Sequence, residues 1–262
     1  MFSLQAQREE ELQTLQENYK SVYLHPATNV CALLSAGSLL QVVDEVFAGR
    51  ARAGVGIIRP PATTPSRTAP TASASTTMWP SPPTGWDAKV GAAWVLVVVW
   101  DVHPCSGIQH VFVAEPRVLY VSLHCHDHGL FFPSSEDPNY DEWGRDLAKA
   151  TTLTLPSGMG DAEALTQVVL PVAFQFNPQL VLVTASLDVG AGTHLEDRIV
   201  LALEGGFNLT TISYCMTLCA KALLGDLLPP LEPQLVPNKC RADHQWRHPY
   251  PQPLLAGALL QV

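Results

Sequence analysis

Four unbroken apolar segments constrain the fold of this 262-residue chain more than any other feature. Each is rich in Val, Leu and Ile and lacks the polar alternation of a half-exposed strand. Such runs are typical of strands in a parallel sheet that is covered on both faces. The sequence therefore predicts four buried strands, at 94–100, 118–123, 180–187 and 199–203.

The regions around these runs predict helices and one further strand. Apolar residues recur at helical spacing in four segments, which are 9–20, 27–48, 161–176 and 210–224. Residues 55–58 predict a short strand, and Gly49 predicts the end of the second helix. In that helix we expect the large apolar side chains to be buried, namely Leu33, Leu34, Leu40, Val43 and Phe47. Strands that alternate with helices predict an α/β fold, a parallel sheet with helices on both faces.

Composition and charge argue against nucleic-acid binding, secretion and membrane insertion. The net charge of −9 gives no basic surface for phosphates, so we expect no direct nucleic-acid binding. The N-terminus lacks a signal-peptide apolar region, and the longest apolar run, 92–100, is too short to span a bilayer. The six cysteines form no CxxC pair, and the spacing of Cys215 and Cys219 indicates core packing. We expect an intracellular, non-secreted protein of the cytoplasm or the nucleus, away from membranes.

Ligand-type residues follow several of the predicted strands. In open α/β sheets, sites form beyond the carboxyl ends of the strands. Asp101 and His103 follow the first apolar run at period-2 spacing, and Asp188 follows the third. Two carboxylates and one imidazole leave an open position, as a catalytic zinc requires. The alternative is that Asp101 and Asp188 only cap loops or helices.

Several long motifs span most of residues 9–228. They are SVYLHP at 21–26, GIIRPP at 56–61, WDVHPCSG at 100–107, VSLHCHDHGLFFP at 121–133, MGDA at 159–162 and LEGGFNL at 203–209. In these motifs and in their order, the chain resembles the class II histone deacetylases, and above all the class IIb, tubulin-deacetylase-like branch. The resemblance implies an arginase/deacetylase-like parallel sheet and zinc-dependent hydrolysis of acetyl-lysine on histones or other proteins such as tubulin. It thus implies a hydrolase with a role in protein deacetylation and chromatin regulation.

The same resemblance assigns residues to roles. Asp101, His103 and Asp188 match the three zinc ligands. Phe132 matches an aromatic residue of the acetyl-lysine channel, and Ser122 matches a ligand of a structural potassium site. In the family, zinc polarises the acetyl carbonyl, a His-His pair transfers protons and a Tyr stabilises the oxyanion.

The sequence departs from the family at the groups that carry out the chemistry. No His-His pair follows Pro61, and Phe207 occupies the position of the Tyr. Val99 replaces an Asp of the potassium site, while Pro104 and Cys105 replace a His and a Gly. The family's first strand and a helix-sized stretch after Asp188 have no counterpart. The resemblance therefore implies a degenerate, truncated domain with an incomplete sheet, weak or absent zinc binding and a damaged potassium site.

Residues 62–90 form an aberrant segment that begins with a Pro-, Ser- and Thr-rich stretch. Codons for residues 62–68, read with one added base, can encode Gly-His-His-Ala-Glu-Pro-Asp, the missing family motif. We hypothesise that this segment is a deacetylase core in the wrong frame, either in a decayed gene copy or through an error in the gene sequence.

These observations predict a partial deacetylase-like domain over 1–228 and a Pro-rich C-terminal tail over 229–262. The predicted function is that of a catalytically impaired or dead histone deacetylase homologue, a pseudoenzyme. The alternatives are an active class IIb-type enzyme behind a faulty gene sequence, and a non-catalytic binding module or unstable pseudogene product. The family's partners are acetylated protein lysines; the sequence does not indicate an oligomeric state.

Overall fold

The computed structural model describes residues 9–17, 25–58, 94–101, 105, 108–109, 112, 115–124, 152–156, 164–185, 198–204 and 209–226. Six parallel strands form one sheet in the order β1-β6-β5-β2-β3-β4. The strands are β1 (Ala53–Ile58), β2 (Val95–Trp100), β3 (Val118–His124), β4 (Thr152–Pro156), β5 (Leu180–Ala185) and β6 (Ile199–Glu204). The helices are α1 (Glu9–Gln16), α2 (Thr28–Phe47), α3 (Leu170–Phe176) and α4 (Leu209–Leu224), with a π-helical turn at Leu165–Val169 before α3.

The sheet is covered on both faces, as its unbroken apolar strands predict. Every residue of β2 and β3 is buried. On one face, residues such as Leu96 and Val98 pack against α3 and α4. On the other, alternate residues such as Val95 and Val97 pack against α2 and the segment around Ile108. Because successive strand side chains point to opposite faces, each apolar run supplies both layers of the core.

Helix α2 packs on the sheet through its small and medium-sized residues. Its core side contains Ala36, Leu39, Val43 and Val46. The prediction that Leu33 and Leu34 are buried was wrong, since both side chains are more than half exposed. By length and composition, the stretch Val30–Phe47 could cross a membrane, with 28% of it buried. Its contacts with the sheet are those of a core helix.

A proline explains the π-helical turn before α3. Pro171 has no N–H to donate to the preceding turn, and its ring excludes the carbonyl four residues earlier. The backbone opens there, and the Leu170 N–H donates to the Leu165 carbonyl, five residues back. At the other end of α3, Asn177 adopts the left-handed conformation (φ 53°), and its N–H donates to the Ala173 carbonyl.

Most of the predicted elements are confirmed, with small shifts at their ends. The helix predicted over 9–20 is described only as Glu9–Gln16, and the strand predicted from residue 55 begins at Ala53. β4 was not predicted, although the Thr-Leu alternation of 152–155 is a strand signal. The aberrant segment 62–90 and the tail 229–262 lie outside the described residues.

Candidate functional site

The strand order creates one point at which a site is expected. The chain leaves β2 for β3 on one side and leaves β5 for β6 on the opposite side. β2 and β5 are neighbours, with Trp100 paired to Ala185 at their carboxyl ends. The connections diverge here, and a crevice opens at such a topological switch point.

Asp101 lies at this switch point. It directly follows β2, and only 3% of it is exposed although it carries a carboxyl group. Burial of a carboxylate is costly unless hydrogen bonds or a cation compensate for it. A buried acid at the carboxyl edge of the sheet therefore fits the predicted role of a metal ligand. His103 and Asp188, the other two predicted ligands, lie outside the described residues.

A buried polar row runs along β3 towards the same edge. Tyr120, Ser122 and His124 alternate along the strand and therefore share one face of the sheet. The Tyr120 hydroxyl donates to the Cys105 carbonyl at 3.4 Å, and Ser122 Oγ lies 2.8 Å from His124 Nδ1. The strand was predicted to end at residue 123, but His124 is the last residue of β3 and is 5% exposed.

Burial sets the protonation state of Tyr120. The loss of solvent raises the pKa of its phenol far above the ordinary value; the nearby Cys105 adds to this effect, and a hydrogen bond with Ser122 opposes it. Tyr120 therefore stays protonated at all physiological pH values. It acts as a hydrogen-bond donor and not as a base.

The predicted potassium site lacks the carboxylate that the family resemblance implies at position 99. Val99 is directly opposite Ser122 in the β2–β3 register, and both are fully buried. Val99 offers an apolar side chain where the resemblance implies a carboxylate, and the Ser122 hydroxyl contacts His124. These residues do not fit the structural potassium site of the family.

Phe132 and Phe207 lie outside the described residues, as does the position after Pro61 where the His-His pair is missing. Within the described ranges, no group of three or more His, Cys, Asp or Glu side chains could hold a metal ion. Two of the three predicted zinc ligands, His103 and Asp188, fall outside those ranges.

The sequence did contain a signal for the row on β3. Tyr120, Ser122 and His124 recur at period 2 within an otherwise apolar strand. Polar groups on a buried strand need partners on the same face. The family resemblance assigns Ser122 to the potassium site, whereas the structure shows its hydroxyl beside the His124 ring.

Comparison with known proteins identifies the fold and the family together. A family model described as "Histone deacetylase domain" matches residues 86–197. The solved structure of the histone deacetylase Clr3 covers 86% of the chain with a TM-score of 0.65 at 28% identity. The chain belongs to the histone deacetylase family. Its parallel sheet with helices on both faces is the deacetylase fold.

The curated relatives of this deacetylase homologue include class IIb proteins. Polyamine deacetylase HDAC10 of Mus musculus is 36% identical over 87% of the chain, and that of Homo sapiens is 35% identical over 87%. Histone deacetylase 6 of Caenorhabditis elegans is 32% identical over 88%. The chain spans 38% of the length of the HDAC10 proteins, 28% of histone deacetylase 6 and 41% of the Clr3 chain.

Proposed function

We propose that this deacetylase homologue binds zinc and acetylated amines at the β2–β5 switch point. It hydrolyses the acetylated amines at little more than the background rate. The observation that carries the proposal is the position of Asp101, buried at the carboxyl end of β2 beside β5. A buried carboxylate at the switch point supports the zinc-binding part of the proposal, and the absence of the family's His-His pair and Tyr from the sequence supports slow hydrolysis.

The donor set fits zinc. Asp101, His103 and Asp188 would supply two carboxylate oxygens and one imidazole nitrogen. Bound zinc would supply a Lewis acid for the amide carbonyl and would lower the pKa of water. Three protein ligands leave a coordination position open for a small ligand. Asp101 is the ligand whose burial supports this assignment.

The missing groups would remove most of the catalysis. The chain lacks the His-His pair that, in the family, takes a proton from the attacking water and gives one to the leaving amine. Loss of such a general base costs roughly 10²–10⁴-fold in rate. Phe207 has no hydroxyl to donate to the developing oxyanion, and loss of one such donor costs roughly 10²–10³-fold. The two effects are not additive, but either one makes turnover slow.

The proposed ligands are acetylated amines of small or flexible chains. Relatives of the chain are described as polyamine deacetylases and as histone deacetylases. Acetyl-lysine and an acetylated polyamine share an acetamide at the end of an alkyl chain. We therefore extend the family's acetyl-lysine substrates to acetylpolyamines as ligands of this chain.

The test is a zinc titration of the purified full chain by calorimetry, followed by hydrolysis assays with an acetyl-lysine peptide and an acetylpolyamine. We expect stoichiometric zinc binding and no turnover above the metal-free control. Asp101→Asn removes one ligand and should abolish zinc binding. Asp226→Asn changes an exposed carboxylate after α4 and serves as the matched control.

Two results would contradict the proposal. Zinc binding that survives in Asp101→Asn would place the metal elsewhere. Hydrolysis at the rates of an intact deacetylase would show that other groups replace the missing His pair and Tyr.

A further inference from the structure

An apolar patch with two aromatic rings lies at the amino edge of the sheet, opposite the edge that carries Asp101. This Trp94 patch consists of Trp94, which immediately precedes β2, and of Val172 and Phe176, which lie one turn apart on α3. The rings of Trp94 and Phe176 meet edge to face, with their centroids 5.0 Å apart. Trp94 is 45% exposed and Val172 is 36% exposed. Contiguous exposed apolar surface of this kind is typical of a docking site.

Regular structure holds both sides of the Trp94 patch. The Trp94 N–H donates to Gln179 Oε1 at 3.1 Å, and the Trp94 carbonyl accepts from the Gln179 N–H at 2.7 Å. Phe176 is the last residue of α3 and packs partly against the core. The two rings are therefore presented in fixed positions, which reduces the ordering cost when a second surface docks on them.

The described chain around the Trp94 patch carries no charge. Residues 164–185, which include α3 and β5, contain no Asp, Glu, Lys or Arg, although the whole chain has a net charge of −9. A ligand of the patch is therefore recognised through apolar and ring contacts. Proline-rich segments suit such a surface, because the polyproline II helix is preformed and packs its proline rings against aromatic side chains.

Helix α4 brings a proline-rich segment to the same edge. α4 begins shortly after the carboxyl end of β6 and packs back along the sheet, so it ends near the amino edge. Leu223, in its last turn, packs against the same core cluster as Phe176. Gly225 closes the helix in the left-handed conformation, with φ 81°. The sequence that follows Asp226 is LLPPLEP, with PPLEP at 229–233.

We propose that the segment 229–233 of this chain docks on the Trp94 patch as a polyproline II helix, with a proline ring on the exposed face of the Trp94 indole. The three residues from Asp226 to Pro229 extend to about 10 Å, and neighbouring packed helices are about 8–10 Å apart. Five residues in the polyproline II conformation add about 15 Å, which exceeds the single helical turn between Val172 and Phe176. The segment is therefore long enough to cross the patch.

The docked segment ties the end of α4 to the start of β2 and covers the Trp94 ring. The folded domain then extends to residue 233, beyond the boundary at residue 228 that the sequence predicts. The Trp94 patch lies at the edge of the sheet away from Asp101, and the docking uses no metal. The inference is therefore independent of the proposed function.

Fluorine NMR of the full chain labelled with fluorotryptophan tests the docking. The shift of the Trp94 resonance between light and heavy water measures the exposure of its ring, and Trp94→Phe assigns that resonance. In Pro230→Ser/Pro233→Ser we expect this isotope shift to rise towards that of free fluorotryptophan, because the ring loses its cover. Pro251→Ser/Pro253→Ser removes the same number of prolines further along the chain and should leave the isotope shift unchanged.

Two further readouts sharpen the test. The ring of Trp100 is 2% exposed, so its resonance should show little isotope shift in every variant if the core is folded. A peptide of residues 227–237, added at millimolar concentration to replace the tethered segment, should reverse the change in Pro230→Ser/Pro233→Ser. In the unmodified protein we expect a small Trp94 isotope shift at every protein concentration.

An unchanged Trp94 isotope shift in Pro230→Ser/Pro233→Ser, or an equal rise in Pro251→Ser/Pro253→Ser, would overturn the proposal. A Trp94 shift that falls as the concentration of unmodified protein rises would also overturn it, because a second copy would then supply the cover. A Trp100 shift as large as that of Trp94 would mean that no folded edge exists for the segment to dock on, and the proposal would fail.

Discussion

Gly54 of β1 lies so close to Val42 of α2 that a Cβ atom added to the glycine would overlap Cγ1 of Val42. Cγ2 of Val46, one turn further along α2, would lie 3.3 Å from the added Cβ atom. The side chains of α2 fill the space above the glycine. This contact lets the helix approach β1 closely and buries Leu39, Val43 and Val46.

We predict that Gly54→Ala destabilises the protein by about 1–3 kcal/mol, the usual cost of overpacking a core. The added methyl group must displace Val42 or push α2 away from β1. Urea unfolding followed by circular dichroism measures the loss. An unchanged midpoint would mean that α2 and β1 do not pack together in solution.

Gly37 provides the matched control for this substitution. It lies in the middle of α2, and a Cβ atom there would meet nothing within 4 Å. Gly37→Ala should therefore stabilise the protein by about 0.5–1 kcal/mol through helix propensity alone. The same chemical change thus has opposite signs at two positions only because of their surroundings.

The sequence predicted the strands better than it predicted the surface of α2. Runs such as Val95–Trp100 are continuously apolar and rich in Val, which suits a strand buried on both faces. Helix α2 is apolar on nearly all sides, so its periodicity did not reveal which side meets the sheet. The glycines of β1 decide this, and the contact between Gly54 and Val42 joins residues whose pairing depends on the three-dimensional packing.

The candidate site was predicted only in part, for a related reason. Asp101 could be found because it follows an apolar run, and the structure places it at the switch point. The link between Tyr120 and Cys105 joins residues of different elements, 15 positions apart in the sequence. No periodicity within one element reports such a contact.

Cysteine reactivity should separate a folded chain from an unfolded one. Cys31 is exposed, whereas Cys105, Cys215 and Cys219 are buried. Burial, and then the neighbouring Cys215, raise the pKa of Cys219 to about 12, so its thiolate is scarce at neutral pH. We predict that iodoacetamide at pH 8 labels Cys31 quickly and the three buried residues only after denaturation, as read by mass spectrometry.

The thiol experiment has a clear negative result. Equal labelling of Cys31 and Cys219 without denaturant would mean that the isolated chain lacks a stable core. Cys31→Ser should remove the fast reaction at that site and leave the protection of Cys215 and Cys219 unchanged.

The ion pair of Glu115 with Arg117 should make a small, pH-dependent contribution to stability. Two hydrogen bonds of 2.8 and 3.0 Å join the Glu115 carboxylate to the Arg117 guanidinium. The backbone N–H of Arg117 donates a third hydrogen bond to the same carboxylate, at 3.1 Å. The side-chain bond to Arg117 lowers the pKa of Glu115 from 4.5, against the opposing effect of burial. Because the folded-state pKa is the lower one, the stabilisation is present above pH 4.5 and is lost as the pH falls through the folded-state value.

We predict that Glu115→Gln lowers the free energy of unfolding by about 0.3–1 kcal/mol at pH 7, and by less at pH 4. Urea titrations at the two pH values measure the difference. Glu45→Gln is the control, because the Glu45–Arg50 pair has the same bidentate geometry but more than half of each side chain is exposed. A larger effect at pH 4 than at pH 7 would refute the assigned direction of the Glu115 pKa.

The last prediction concerns the position of the missing tyrosine. Phe207→Tyr restores the hydroxyl that the family uses to stabilise the oxyanion, but it supplies no group to move protons. We therefore expect hydrolysis of an acetyl-lysine peptide to stay at background in this variant, while zinc binding is unchanged; Phe207→Leu is the control for altered packing. Turnover that rises by 10²-fold or more in Phe207→Tyr alone would mean that another residue already serves as the base, since one restored donor is worth roughly that factor only where the proton transfers are catalysed.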